Sequence, residues 1–114
     1  MAQVLYIDDE TDILELAEIH FKDKGLPIVT ASTAQMALEI MGQNPIKVII
    51  SDARMPGLKG LELYQKLKHE LNFQGHFILV SGHFEAMASD GVDLVLSKPI
   101  DFNELIRQVK KFLD

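Results

Sequence analysis

The sequence predicts an α/β domain in which a parallel sheet carries helices on both faces. Short apolar runs such as Val48-Ile49-Ile50 and Phe77-Ile78-Leu79-Val80 show no polar alternation, the pattern of strands covered on both sides. Between such runs lie segments with apolar residues at helical spacing, opened by capping residues and closed by Gly or Asn. The two kinds of segment alternate five times with no repeat, linker or low-complexity tract, and 114 residues suit one domain, 1–114.

Val4 to Ile7 is the first strand, ending in Asp8-Asp9-Glu10. Thr11 or Asp12 then caps a helix, Asp12 with Glu15 fitting a capping box, and Leu14, Ala17 and Phe21 share its buried face. Lys22 and Lys24 suit the C-terminal dipole, and Gly25 suits the position just past the helix. Pro27 to Thr30 is a second strand, and its proline suggests a sheet edge. Ser32 with Gln35 reads as the next capping box, with Ala34, Ala37, Leu38 and Met41 buried and Gly42 ending the helix.

Ile46 to Ser51 is the central strand, and it delivers Asp52 where the apolar run stops. Pro56-Gly57 turns the chain, and Gly60 leads into a helix with Leu63, Leu67 and Leu71 in one row, closed by Asn72 and Gly75. Phe77 to Val80 is a fourth strand ending in Ser81-Gly82, followed by a short helix around Phe84 to Ala88. Val92 to Leu96 is the fifth strand, ending in Ser97-Lys98-Pro99. In the last helix Asp101 is the N-cap and Glu104 stands at the third position. Leu105, Ile106, Val109, Phe112 and Leu113 form its buried face, while Arg107, Lys110 and Lys111 face solvent.

Composition narrows the function. Without cysteine there is no disulfide, thiolate metal site or cysteine nucleophile. A formal net charge of −6 disfavours direct nucleic-acid binding, because phosphates would be repelled. No apolar run approaches membrane-spanning length and no leader pattern opens the chain, so it reads as soluble and cytoplasmic, with no membrane partner.

Polar residues fall where the strands end: Asp8 and Asp9 after the first, Asp52 after the third, Ser81 after the fourth and Lys98 after the fifth. In a parallel sheet those ends share one edge, so the residues converge there. Singly each has a bland reading, as a helix cap, a turn residue or a solvated charge. Together they form a kit. Three mutually repelling carboxylates call for a hard divalent cation, Mg2+ with Mn2+ possible. Lys98 adds a fixed positive charge and Ser81 a hydroxyl donor, which suits phosphoryl transfer with Asp52 as the nucleophile.

These landmarks resemble the receiver domain of two-component response regulators from end to end: Asp8-Asp9, Asp52, Met55-Pro56-Gly57, Ser81-Gly82 and Lys98-Pro99, in the family's order on the family's elements. The resemblance implies a (βα)5 flavodoxin-like, doubly wound sheet of strand order 2-1-3-4-5. Because the interval from Ser81 to Lys98 is short, it also implies a shortened fourth helix. It further implies that Asp52 accepts phosphate from a histidine kinase or histidine phosphotransfer protein. Asp9 and Asp52 would ligate Mg2+ directly, Asp8 largely through water and Arg54 through its backbone carbonyl. Lys98 would pair with Asp52 and then with the phosphoryl group, and Ser81 would move toward a phosphoryl oxygen, a two-state switch read by a downstream protein. Phosphorylation and dephosphorylation of Asp52 would be self-catalysed only, which is not the activity of a conventional enzyme.

Besides the short interval from Ser81 to Lys98, two further departures from the family pattern stand out. Val95 stands where the family often has an aromatic residue, three positions before the lysine, and valine cannot make an aromatic swing. Arg54 and His83 flank the phosphoryl position, where side chains tune access of the attacking water. A magnesium-dependent phosphatase usually carries a second acid two residues after its nucleophile, where this chain has Arg54. A flavodoxin-like cofactor binder needs a phosphate loop after the first strand, where this chain has three acids. His69-Glu70-Leu71 resembles a kinase phosphohistidine, but it lacks the four-helix context, and a solvent-facing histidine near a helix end is the better reading. The sequence shows no output domain after the last helix, and names neither kinase nor target.

Overall fold

The computed structural model describes residues 3–53, 60–82 and 92–114. Its elements run β1 (Val4–Ile7), α1 (Thr11–Asp23), β2 (Ile28–Ala31), α2 (Ala34–Met41), β3 (Val48–Asp52), α3 (Gly60–Glu70), β4 (His76–Ser81), β5 (Leu94–Ser97) and α4 (Phe102–Leu113). All four strand pairings are parallel and the order is β2-β1-β3-β4-β5, the predicted topology. The expected short helix around Phe84 to Ala88 and the turn at Pro56-Gly57 lie outside the described residues, so the C-terminal helix is α4 here.

Alternation along the strands sorts the core into two layers. Leu5, Ile7, Ile49, Phe77 and Leu79 point to the side covered by α2 and α3, where they meet Ala37, Leu63, Tyr64 and Leu67. Val4, Tyr6, Val48, Ile50, Ile78 and Val80 point to the side covered by α1 and α4, where they meet Leu14, Ala17, Phe21, Leu105, Ile106 and Val109. β1, β3 and most of β4 are buried throughout, as their unbroken apolar runs require. A histidine–phenylalanine stack, His20 on Phe102 with centroids 4.7 Å apart, joins α1 to the start of α4.

Several boundaries differ from the sequence reading. α1 starts at Thr11 with Glu10 in the N-cap position and no side-chain cap; the buried Asp8 carboxylate accepts the Glu10 amide at 2.9 Å and takes over the local satisfaction expected of Asp12. The cap of α2 is Thr33 rather than Ser32, its hydroxyl accepting from Met36 N. Asp101 caps α4 as expected, accepting from the amides of Asn103 and Glu104. β2 begins one residue after Pro27, which has no amide to pair. β3 begins at Val48, because Ile46 N is turned back onto Asn44 O. β5 begins at Leu94, because Asp93 is held in a bend by its own side-chain bond to Phe77 N.

Leu71 is half exposed, not part of the buried row. Asn72 takes a left-handed φ of 55°, Phe73 N returns to Leu67 O, and the Phe73 side chain packs where the row would have continued. Gly25, at φ 73°, closes α1 with a pair of bonds, Gly25 N to Lys22 O and Leu26 N to Phe21 O. Gly75 sits so close to its neighbours that a Cβ would stand 2.3 Å from Lys47 O and 2.6 Å from the Phe73 ring.

Candidate functional site at the C-terminal edge of the sheet

Strand register brings the acids together. β1 and β3 pair Tyr6 with Ile50 and Ile7 with Ser51, so the next step along both strands brings Asp8 beside Asp52. Asp8 N donates to Ala31 O at 3.1 Å and Ala53 N to Val80 O at 2.8 Å, which carries the sheet's bonding to the base of the site. Asp8 and Asp52 are buried and Asp9 is exposed. Each of these three residues offers a carboxylate oxygen, and the oxygens lie within 4.8 Å of one another.

Lys98 follows β5 and enters the same space, with its amide donating to Ser81 O at 2.9 Å and a cis bond to Pro99. Its Nζ is 3.3 Å from Asp52 Oδ1, 3.8 Å from Glu10 Oε1 and 3.9 Å from Asp8 Oδ2. Ser81, almost fully buried, ends β4 beside it. The structure therefore gathers Asp8, Asp9, Asp52, Ser81 and Lys98 on one edge, as the sequence predicts. Val95 is half-buried on the α2–α3 side of the sheet, where its short side chain packs into that core. Arg54 and His83 lie outside the described residues. Glu10 is the residue that sequence reasoning left out, although it completes the Asp-Asp-Glu run.

Charge is unbalanced here. The Asp8 carboxyl is raised from 3.8 to about 6: burial is the largest cause, the Glu10 amide and Lys98 partly restrain it, and the Asp52 and Glu10 charges add to it. Lys98 loses some basicity to burial, yet Asp8, Asp52 and Glu10 together hold its ammonium above its usual range. Beneath the acids lies Tyr6, packed edge-on against Phe21, its buried hydroxyl lacking a hydrogen-bond partner among the described residues. Burial, then the Asp8 and Asp52 charges, push that phenol upward, so it stays neutral. Among the described residues the donor set is made of carboxylate oxygens in excess over one ammonium, which fits a hard divalent cation better than zinc.

A parallel sheet of order 2-1-3-4-5 with an acid cluster and a lysine at its C-terminal edge is the architecture of a signalling receiver module. The family model of the response regulator receiver domain matches residues 4–110, and the chain belongs to that family, the receivers of two-component response regulators. Among curated relatives, the regulatory protein VanR of Enterococcus faecium is 29% identical over 95% of this chain and 48% of its own length. The transcriptional regulatory protein KdpE of Mycobacterium tuberculosis is 30% identical over 96% of this chain and 50% of its own. The chain thus spans about half the length of these relatives. Among solved structures, a Francisella response regulator receiver domain superposes with a TM-score of 0.86 at 29% identity, covering 98% of this chain and 96% of that one. The Thermotoga maritima response regulator TrrA, solved in complex with Mg2+-BeF, gives 0.84 at 29% identity, covering 98% and 99%. Among the described residues no helix is long and apolar enough to cross a membrane.

Proposed function

We propose that residues 1–114 act as one phosphoacceptor domain in which Asp52 takes a phosphoryl group from a phosphohistidine on a histidine kinase or histidine phosphotransfer protein. The observation that carries this reading is Lys98 Nζ standing 3.3 Å from Asp52 Oδ1 inside an acid cluster at the sheet's C-terminal edge. An Asp52 carboxylate oxygen attacks phosphorus in line. The new P–O bond forms as the P–N bond to the donor imidazole breaks, and the imidazole nitrogen keeps the electron pair.

Asp8, Asp9 and Asp52 would hold Mg2+, with Mn2+ an alternative and the Arg54 carbonyl a further ligand; TrrA, solved with Mg2+-BeF, supports this. Bound there, the cation supplies positive charge to the phosphoryl oxygens and relieves the repulsion among the acids. Lys98 supplies the second positive charge and exchanges its Asp52 contact for a phosphoryl oxygen. The Ser81 hydroxyl donates to another phosphoryl oxygen, and its loop moves with it. Because Lys98 N is bonded to Ser81 O, the β4 and β5 ends respond together. With Val95 on β5, the change reaches the β4–β5 side without an aromatic swing, and a downstream protein reads it. Hydrolysis of the aspartyl phosphate is self-catalysed, with Arg54 and His83 restricting the attacking water. The chain makes no direct contact with nucleic acid or membrane, and its compartment is the cytoplasm, where phosphohistidine donors are formed from ATP.

The test is intact mass after incubation with acetyl phosphate and Mg2+. One phosphoryl adduct is expected on the unmodified chain, absent from Asp52→Ala and suppressed by EDTA added beforehand. No adduct from acetyl phosphate or from a competent kinase overturns the reading.

A further inference from the structure

Glu10 stands at the N-cap position of α1 yet makes no side-chain bond to its own helix. Its amide donates to Asp8 Oδ1 at 2.9 Å, and its carboxylate reaches to 3.8 Å from Lys98 Nζ. One residue therefore meets the site twice, through backbone on the buried acid and through side chain on the cation. Of the carboxylates around Lys98, those of Asp8 and Asp52 are 1% and 7% exposed, whereas that of Glu10 is 62% exposed. Glu10 thus lies on the solvent-exposed side of the described cluster, next to Lys98.

We propose that Glu10 is a positioning residue: it draws Lys98 toward the exposed side of the acid cluster and competes there with small, free, anionic phosphoryl donors. This rests on the phosphoacceptor reading of Asp52. An incoming acyl phosphate must take the ammonium from Glu10 and also approach its negative charge, so the cost falls on binding the donor rather than on breaking its bond. A phosphohistidine carried by a protein gains affinity from contacts elsewhere and can overcome the same obstacle. Glu10 therefore biases the site toward protein-borne donors.

The experiment measures initial rates of Asp52 labelling against acetyl phosphate concentration, on the full chain with saturating Mg2+, for wild type and Glu10→Gln. The expected result is a half-saturating concentration about fivefold lower in Glu10→Gln with a maximal rate within about twofold, the gain shrinking as salt is raised from about 0.05 to 0.5 M. Glu10→Asp keeps the charge but shortens its reach, and is expected between the two. A purely structural role at the start of α1 would instead lower thermal stability and maximal rate with no dependence on salt. An unchanged half-saturating concentration, or a gain insensitive to salt, overturns the proposal while leaving Asp52 as acceptor. A wild-type chain that is labelled neither by acetyl phosphate nor by a kinase overturns the Asp52 reading, and this inference with it.

Discussion

The two edges of the sheet handle charge in opposite ways. At the N-terminal edge, Asp93 is fully used: one oxygen meets His76 Nδ1 at 3.2 Å and the other accepts from Phe77 N at 2.8 Å. The His76 ring lies flat on Phe112 of α4, centroids 4.5 Å apart, and Asp93 N returns to Phe77 O at 3.0 Å. One acid, one histidine and the backbone satisfy each other there. At the C-terminal edge, among the described residues, Asp8, Asp52 and Glu10 all converge on the Lys98 ammonium, and two of these acids are buried. The same fold thus builds a hydrogen-bonded clasp at one edge and crowds like charges at the other. Electrostatic imbalance is stored where a ligand can relieve it.

Breaking that contrast most severely requires removing the Lys98 ammonium, the one cation among the described residues of the cluster. Lys98→Met strands the Asp8 and Asp52 charges in the protein, and a loss of about 3–5 kcal/mol is expected at pH 8. Denaturant unfolding should show the loss shrinking at pH 5, where Asp8 takes a proton, and on adding Mg2+. A smaller effect of opposite sign is expected at Asp8. Its carboxyl titrates at about 6 in the folded chain against 3.8 ordinarily. The folded state therefore holds this proton more tightly than the unfolded state. The resulting stability is complete below pH 3.8 and is lost as pH rises through about 6, amounting to about 3 kcal/mol at most. Asp8→Asn should remove that slope and leave the metal-free chain more stable than wild type at pH 7, measured by urea midpoints across pH 4 to 8.

At the other edge, Asp93→Ala leaves Phe77 N without its partner and should cost about 1–2 kcal/mol in urea unfolding. Its Mg2+ affinity should match wild type; a changed affinity would show that the edges are coupled rather than independent. The smallest effect sharpens the active edge alone. Arg54→Ala is expected to accelerate loss of the phosphoryl group several-fold, with stability unchanged within about 0.5 kcal/mol. An unaltered decay rate, followed by intact mass, would remove Arg54 from control of the attacking water.

Much of the finished architecture was legible because buried parallel strands leave unmistakable apolar runs, and because an acid, hydroxyl or lysine directly after such a run has one edge to go to. Asp8, Asp52, Ser81 and Lys98 could be read this way. Glu10 could not, since an exposed acid before a helix looks the same whether it serves the helix dipole or a lysine far along the chain. The His76–Asp93–Phe112 clasp was hidden because its members sit at the ends of three elements, and no periodicity links them. The caps slipped by one or two residues for a local reason: several adjacent side chains could each cap, and the chain's exit from the strand decides which one does.

Gly75 lies at the quiet edge, yet the active edge depends on it. Without a side chain, the chain enters β4 flush against the Lys47 carbonyl, and His76 N donates to that carbonyl at 2.9 Å. That contact sets the phase between two sliding rows: His76 opposite Val48 at the start, and Asp52 opposite Val80 at the finish. A bulkier residue would shift the rows, and a slip of one residue turns every side chain of β4 to the other side of the sheet. Gly75 acts like the zero mark of a vernier, aligning the scale at one end so that Asp52, Ser81 and Lys98 coincide at the other.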